Sequence, residues 1–422
     1  MDKILRINMS APGGPAVKTE ALGAYAGLGG RAMTSTVVAK EVPPTCHPLG
    51  AANKLVIAPG LLSGSAAAMS GRLSVGCKSP LTGGIKEANS GGQAAQVMGR
   101  LGYAAIILEG QAKDDNWYKV FINKDGVKIE SAADLKGLGN YATVEKLVAQ
   151  YGKKAACISI GQAGEMKMSA ASIAVSDMEQ RPTRHAGRGG VGAVMGSKNI
   201  KAIVLDDEGM KMRTPADPEK FKAANKAFAE GLRKHPVTGE GLPAFGTNVL
   251  TNVVNEAGGY PTHNFKTGQF AGASNISGET QAALENERGG EGSSTHGCHR
   301  GCIIRCSGTF YGKNGNFLTK QPEYETVWAH GGNCGIDDLD VIAQLDRMDD
   351  DFGVDTIEMG ATIGVAMEAG LAAFGDGQAA IKLVQEVGDG TPLGRILGNG
   401  AAVTGQCFGV ERVPVVKRQS MP

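Results

Sequence analysis

The sequence predicts an α+β chain, sheet-rich over residues 1–208 and mainly helical over residues 209–422. Three observations carry this. Short apolar runs alternate with turn residues in the first half, which is the pattern of buried strands. A polar stretch from Asp206 to Lys220, containing Pro215 and Pro218, then interrupts the pattern and reads as a linker or domain entry. Beyond it, apolar residues recur at the 3.6-residue period of helices.

The expected strands of the first half are Lys3–Met9, Lys54–Pro59, Ala104–Leu108, Ala155–Ile160 and Ile200–Leu205. Tyr118–Glu130 is a hairpin, because Lys124-Asp125-Gly126 supplies a turn between two alternating segments. A helix follows, in which Thr143 can cap the start and Val144, Leu147, Val148 and Tyr151 share one face. In the second half Phe221, Ala224, Ala227 and Phe228 mark a first helix. Leu339–Met348, Thr356–Gly370 and Gln378–Val387 repeat the period, and Asp355 with Glu358 three residues on resembles a capping box. No solenoid repeat is present.

Composition narrows the function classes. Lys and Arg total 43 against 42 acidic residues, a formal charge of +1, so no overall field recruits nucleic acid or an anionic membrane. Small ligands and protein partners are the expected clients. Glycine, at 63 of 422 residues, is about twice as frequent as usual. It suits tight turns and close backbone approach to a large ligand. No apolar run approaches bilayer length, so a cytoplasmic chain is expected.

Cys46, Cys77, Cys157, Cys334 and Cys407 are scattered, as reduced structural thiols are, but Cys298, Cys302 and Cys306 form one evenly spaced row. Thiols so concentrated in a polar segment bind metal, and two readings compete. One is an iron–sulfur cluster, the other zinc held by the trio with His296 or His299. In a straight helix the outer two cysteines would stand about 12 Å apart. Gly297 and Gly301 are expected to let the segment curl. Gly187-Arg188-Gly189-Gly190-Val191-Gly192 satisfies the dinucleotide pattern, with Asp206 placed like a ribose-binding carboxylate. We reject that fold: Asp177–Arg184 is polar and carries Pro182, so no strand is expected before the glycines, and Ala193–Asn199 is too short for a crossover. An anion-cradling loop flanked by Arg184 and Arg188 survives the objection, beside a plain packing turn.

Several longer motifs resemble the tungsten-containing aldehyde ferredoxin oxidoreductases. They are Ser70-Gly71-Arg72 with Lys78–Gly83 and Ala88–Gly92, then Ala186–Asn199, Pro322–Ala329 and Asp350–Asp355, in family order. The resemblance implies an oxidoreductase that oxidises aldehydes to carboxylic acids and passes electrons to ferredoxin or another electron-transfer protein. Its cofactors would be a tungsten or molybdenum bis-pterin, a four-iron (4Fe-4S) cluster and a magnesium ion bridging the pterin phosphates. By motif, Arg72 would sit between pterin and cluster, and Asn89, Gly91, Arg184, Gly187 and Arg188 around the phosphates. Asp350, Val354 and Asp355 belong to the first of two pterin motifs. Glu325 resembles the catalytic carboxylate, with Glu323 as its rival, and Cys298, Cys302 and Cys306 would be cluster ligands. The N-terminal domain would then be the pterin-binding one.

Departures from the family pattern count too. Three residues intervene between the first two cluster cysteines where relatives often have two. Gln344 stands where the family can have a metal-binding glutamate, so no intersubunit metal is expected there. The fourth cluster cysteine, the second pterin motif and a catalytic histidine are expected beyond Pro422, or on a subunit that supplies them. Two rival functions remain at this point: a non-catalytic fragment that binds cofactor partially, and a zinc-stabilised binding module.

Overall fold

The computed structural model describes residues 3–288 and 292–422. The architecture is α+β, and its internal contacts divide the chain into two units. The first holds residues 3–225 with two short segments from later in the chain, 299–302 and 350–354. The second holds the remainder.

Two six-stranded sheets build the first unit. The strands of one are β1 (Lys3–Asn8), β2 (Ala16–Ala21), β3 (Leu55–Pro59), β4 (Leu73–Lys78), β5 (Ile85–Ser90) and β6 (Tyr103–Glu109), in the order β2-β1-β6-β3-β4-β5. The other contains β7 (Tyr118–Asn123), β8 (Gly126–Ser131), β9 (Ala156–Ser159), β10 (Ile173–Val175), β11 (Arg184–Ala186) and β12 (Ile200–Leu205), in the order β11-β10-β9-β12-β7-β8. Leu5, Ile7, Ile57, Ile106 and Leu108 of the first sheet share one core with Val120, Ile122, Ile158, Val175 and Ile203 of the second. On the opposite face Ile4, Val56 and Ile107 pack with Met33, Val37 and Val38 of the helix Gly30–Glu41. Strands covered on both faces must be apolar on both, which is why β1, β3 and β6 read so clearly.

Elements without that double burial left weaker signals. β2 pairs only with β1, and its residues Ala-Val-Lys-Thr-Glu-Ala are mostly exposed. β4 is buried but interrupted by Gly76, where a Cβ would stand 2.6 Å from Cβ of Thr34 on the helix above. The helix Asn140–Tyr151 starts earlier than expected: Gly139 caps it and Thr143 is buried within it. A strand does precede the glycine loop, contrary to expectation, because β11 needs only three residues of pairing with β10. The rejection of a dinucleotide fold stands on different ground: β11 lies three places from β12 in the sheet and runs antiparallel to it. The polar stretch after Asp206 stays on the first unit. Arg213 donates from its backbone to Gly64 at 2.9 Å and from its side chain to the Leu61 carbonyl at 2.7 Å, and Asn225 accepts from Ala68 N at 2.8 Å.

The second unit is helical with a small antiparallel sheet of Ser293–His296, Ser307–Tyr311 and Phe317–Lys320. The helices Leu339–Phe352, Thr356–Glu368 and Gly377–Asp389 form at the expected places. Thr356–Glu368 is the central one, buried continuously from Glu358 to Met367. Gly360 lets it meet the helix Tyr324–His330, since a Cβ there would lie 2.5 Å from Ala329 C. Asp355 caps it by accepting from Ile357 N at 3.1 Å. Glu358 does not close a capping box. Instead its carboxylate accepts from Ala401 N at 3.1 Å and Ser420 N at 2.9 Å, and burial holds its pKa above the usual range. The helix Pro218–Lys234 also forms, but it buries none of its residues, and Phe228 is 49% exposed. No helix among the described residues is long and apolar enough to cross a membrane.

One buried carboxyl gives this unit a pH signature. Glu285 is fully shielded, accepts from Gln321 Nε2 at 3.3 Å, and burial pushes its pKa from 4.5 to about 9. The folded state therefore keeps a proton that the unfolded chain releases above pH 4.5. Stability contributed by that proton is complete below pH 4.5 and is lost as pH rises towards 9. Urea unfolding of Glu285→Gln across that range is expected to show a flatter decline than the parent; parallel declines would refute the assignment.

Candidate functional site

Four segments of the first unit converge on the ends of β4, β5, β10 and β11. Arg72 precedes β4, and the register pairs Ser74 with Asn89 of β5. The Arg72 guanidinium donates through Nε to Asn89 Oδ1, while Asn89 Nδ2 donates to Ser74 Oγ at 3.3 Å. Both Arg72 and Asn89 remain exposed on this unit, a cation held in place with donors to spare. Gly91 and Gly92 follow directly and are buried. At Gly92 φ is +85°, and a Cβ would stand 2.7 Å from Ser176 O, so only glycine fits the bend. Gln93 completes the attachment, donating from its backbone to Ser176 O at 3.0 Å and from its side chain to Asp177 O at 2.6 Å.

Arg184 faces Val175 across the β10–β11 pair and is nearly buried. The preceding loop is organised by Asp177, which accepts from Thr183 Oγ1 at 2.7 Å and from the backbone of Glu179 and Arg181 at 2.9 and 2.8 Å. His185 then joins the strand to the segment 350–354. Its Nε2 lies 2.9 Å from Pro182 O and 3.2 Å from Asp350 Oδ1, and its Nδ1 lies 2.7 Å from Ser172 Oγ. Asn140 Nδ2 donates to Asp350 O at 2.8 Å, Ser172 N to Gly353 O at 2.8 Å, and Val354 bridges to Ala171. Asp350 is thereby fixed beside His185, and Val354 beside Ala171. The glycine loop is pinned in its turn, with Ser79 Oγ donating to Gly189 O at 2.6 Å and Gly192 N to Ala171 O at 3.0 Å.

Residues 299–302 lie against the turn before Arg72. Met69 N donates to Gly301 O at 3.0 Å, and Gln96 Nε2 lies 3.5 Å from Arg300 O. Gly71 has no room for a side chain: a Cβ would stand 2.3 Å from His299 Nδ1. The expected curl occurs at Gly301, whose φ is +81°. Within this stretch one ligand atom each from Cys298, His299 and Cys302 lie within 4.8 Å of one another. Among the described residues no cysteine is in a disulfide, and the three of the row are half-buried. Cys306 is not in the close group; it bridges to His296 at the end of the small sheet's first strand.

In the second unit Glu325 stands in the first turn of the helix Tyr324–His330 and is half-buried. Its Oε2 accepts from Trp328 Nε1 at 2.6 Å, one helical turn on. Glu323 sits at the N-cap position and accepts from Thr247 Oγ1 at 2.9 Å. The two carboxylates are thus told apart: one is tied into the helix start, the other is held by a buried indole. Sequence reasoning had not singled out His185, Asn140 or Gln93, the side chains that anchor these segments.

The family model described as "Aldehyde ferredoxin oxidoreductase, N-terminal domain" matches residues 4–207, and that for "domains 2 & 3" matches residues 223–422. The chain belongs to the aldehyde ferredoxin oxidoreductase family. It is 41% identical over 375 residues to the tungsten-containing aldehyde ferredoxin oxidoreductase of Pyrococcus horikoshii, an alignment covering 87% of this chain and 58% of that protein. With the Pyrococcus furiosus enzyme of the same name, identity is 41% over 344 residues, 81% of this chain and 54% of that one. The chain therefore spans less than two thirds of these relatives. A more distant relative is "Aliphatic sulfonate oxidoreductase, WOR-like subunit" from Pyrococcus furiosus, 28% identical over 404 residues, 88% of this chain and 61% of that protein. Among solved structures, "Active site complex BamBC of Benzoyl Coenzyme A reductase in complex with 1,5 Dienoyl-CoA" shares the fold. The TM-score is 0.80 with 21% identity, over 99% of this chain and 65% of that one.

Proposed function

We propose that this chain carries the pterin- and cluster-binding portion of a tungsten-dependent oxidoreductase that converts aldehydes to carboxylic acids and delivers electrons to ferredoxin. The observation that supports it most is convergence: Arg72 and Asn89, the Gly91–Gly92 bend, Arg184 to Arg188, Asp350 to Val354 and residues 299–302 all fold onto one unit. Their chemistry fits the groups. Guanidinium groups and glycine backbone amides suit phosphates, to which a magnesium ion would add. Half-buried thiols outside any disulfide suit a four-iron cluster.

In this reading Arg72 lies between pterin and cluster, and Asn89, Gly91, Arg184, Gly187 and Arg188 hold the pterin phosphates. Asp350, Val354 and Asp355 bind the pterin ring system, and Cys298, Cys302 and Cys306 anchor the cluster. When bound, the tungsten–pterin and cluster supply an acceptor for two electrons and a path for their export. Glu325 takes the proton released as water adds to the aldehyde carbon, and the Trp328 indole fixes the orientation of that carboxylate. The greater identity to the aldehyde enzymes than to the sulfonate-oxidising relative supports aldehyde as the substrate class.

Anaerobic purification followed by determination of iron, sulfide, tungsten and pterin tests the proposal. Iron with matching sulfide, and tungsten or molybdenum with pterin, are expected. Stoichiometric zinc without iron would establish the zinc-module alternative instead.

A further inference from the structure

We infer that the imidazole of His299 is a direct ligand of the cluster through Nε2, filling beside Cys298, Cys302 and Cys306 the fourth position that a thiolate would otherwise take. The inference rests on the iron–sulfur reading above and adds a nitrogen donor to the ligand set. Position comes first. A ring nitrogen of His299 and the sulfurs of Cys298 and Cys302 lie within 4.8 Å of one another, close enough for one inorganic group to touch all three. Of His296, before the cysteine row, and His299, inside it, the latter is the one the fold places in the group.

Burial and hydrogen bonding then identify the atom. His299 is 3% exposed, and among the described residues its Nε2 is shielded without a hydrogen-bond partner. A buried nitrogen left in that state costs about 1–3 kcal/mol. Nδ1 has a partner, the Arg300 carbonyl at 2.8 Å. A carbonyl oxygen only accepts, so Nδ1 is the donor there and Nε2 is the nitrogen left to bond a metal. Metal-bound histidines show this arrangement, one nitrogen donating to a backbone carbonyl and the other bonded to the metal. The ring is also held from behind, because Gly71 leaves no space between itself and Nδ1.

A neutral imidazole in place of an anionic thiolate makes the cluster less negative and raises its reduction potential, as in clusters with histidine ligands. Pulsed electron paramagnetic resonance of the anaerobically purified, dithionite-reduced protein, grown with 15N-histidine, reads the bond directly. The expected result is a strong coupling from a metal-bonded histidine nitrogen that shifts with the isotope and disappears in His299→Leu. His299→Cys is expected to retain iron and sulfide while lowering the midpoint potential. A paramagnetic cluster without histidine coupling, or coupling that survives in His299→Leu, overturns the assignment and leaves the iron–sulfur reading intact. Protein free of iron and sulfide overturns both. The unmodified protein alone decides the matter if either variant fails to fold.

Discussion

Glu325→Gln is expected to retain iron, sulfide, tungsten and pterin while aldehyde-dependent dye reduction falls by about 10²–10⁴-fold, the usual contribution of a positioned general acid or base. The amide keeps the size of the side chain and an oxygen that can still accept from Trp328 Nε1, at 2.6 Å from the carboxylate in the parent. What it loses is the capacity to take a proton. Measurement belongs on the cofactor-loaded protein together with whatever further chain completes it, with metal content assayed in the same preparation. Turnover equal to the parent at equal metal content would remove Glu325 from the chemistry. Glu323→Gln is the matched control: its carboxylate accepts from Thr247 at a helix start, and its replacement is expected to leave turnover within a few-fold of the parent.

The second large effect concerns stability. Asp346 is wholly buried and accepts from Lys320 Nζ at 2.7 and 2.9 Å and from Thr319 Oγ1 at 2.6 Å. Removing one partner of such a pair strands the other charge in a low-dielectric interior, which typically costs about 3–5 kcal/mol. Asp346→Ala is expected to lose stability on that scale in chemical denaturation. Replacing both partners by apolar residues, Lys320→Met with Asp346→Leu, is expected to recover most of the loss, because no uncompensated charge remains. A double variant as unstable as Asp346→Ala would show that packing, not the buried charge, sets the penalty.

Legibility followed burial. β1, β3, β6 and β12 were evident because both faces are covered and both must be apolar. The exposed edge strand β2 and the three-residue strands β10 and β11 carry almost no hydrophobic pattern. The helix Gly30–Glu41 was hidden for another reason: Thr34, Thr36, Val37 and Val38 favour strand locally, and packing over β3 and β4 decides in favour of helix. At the site, the cysteine row and glycine loop were visible because chemistry is concentrated in a few adjacent residues. The anchoring side chains were not. His185 and Asn140 reach partners far away in sequence, and a single polar residue gives no local sign that its partner lies 210 positions on. Gln93 reaches across 84 positions in the same way.

That long reach bears on biosynthesis. Asn140 meets Asp350, and Met69 meets Gly301, only after those late residues exist. A nascent chain of 225 residues can pair its sheets but still lacks two pieces of its own surface, so the first unit is completed only when residue 354 clears the ribosome. Loading of a prosthetic group that needs the whole of that surface therefore waits for the arrival of nine residues encoded well downstream.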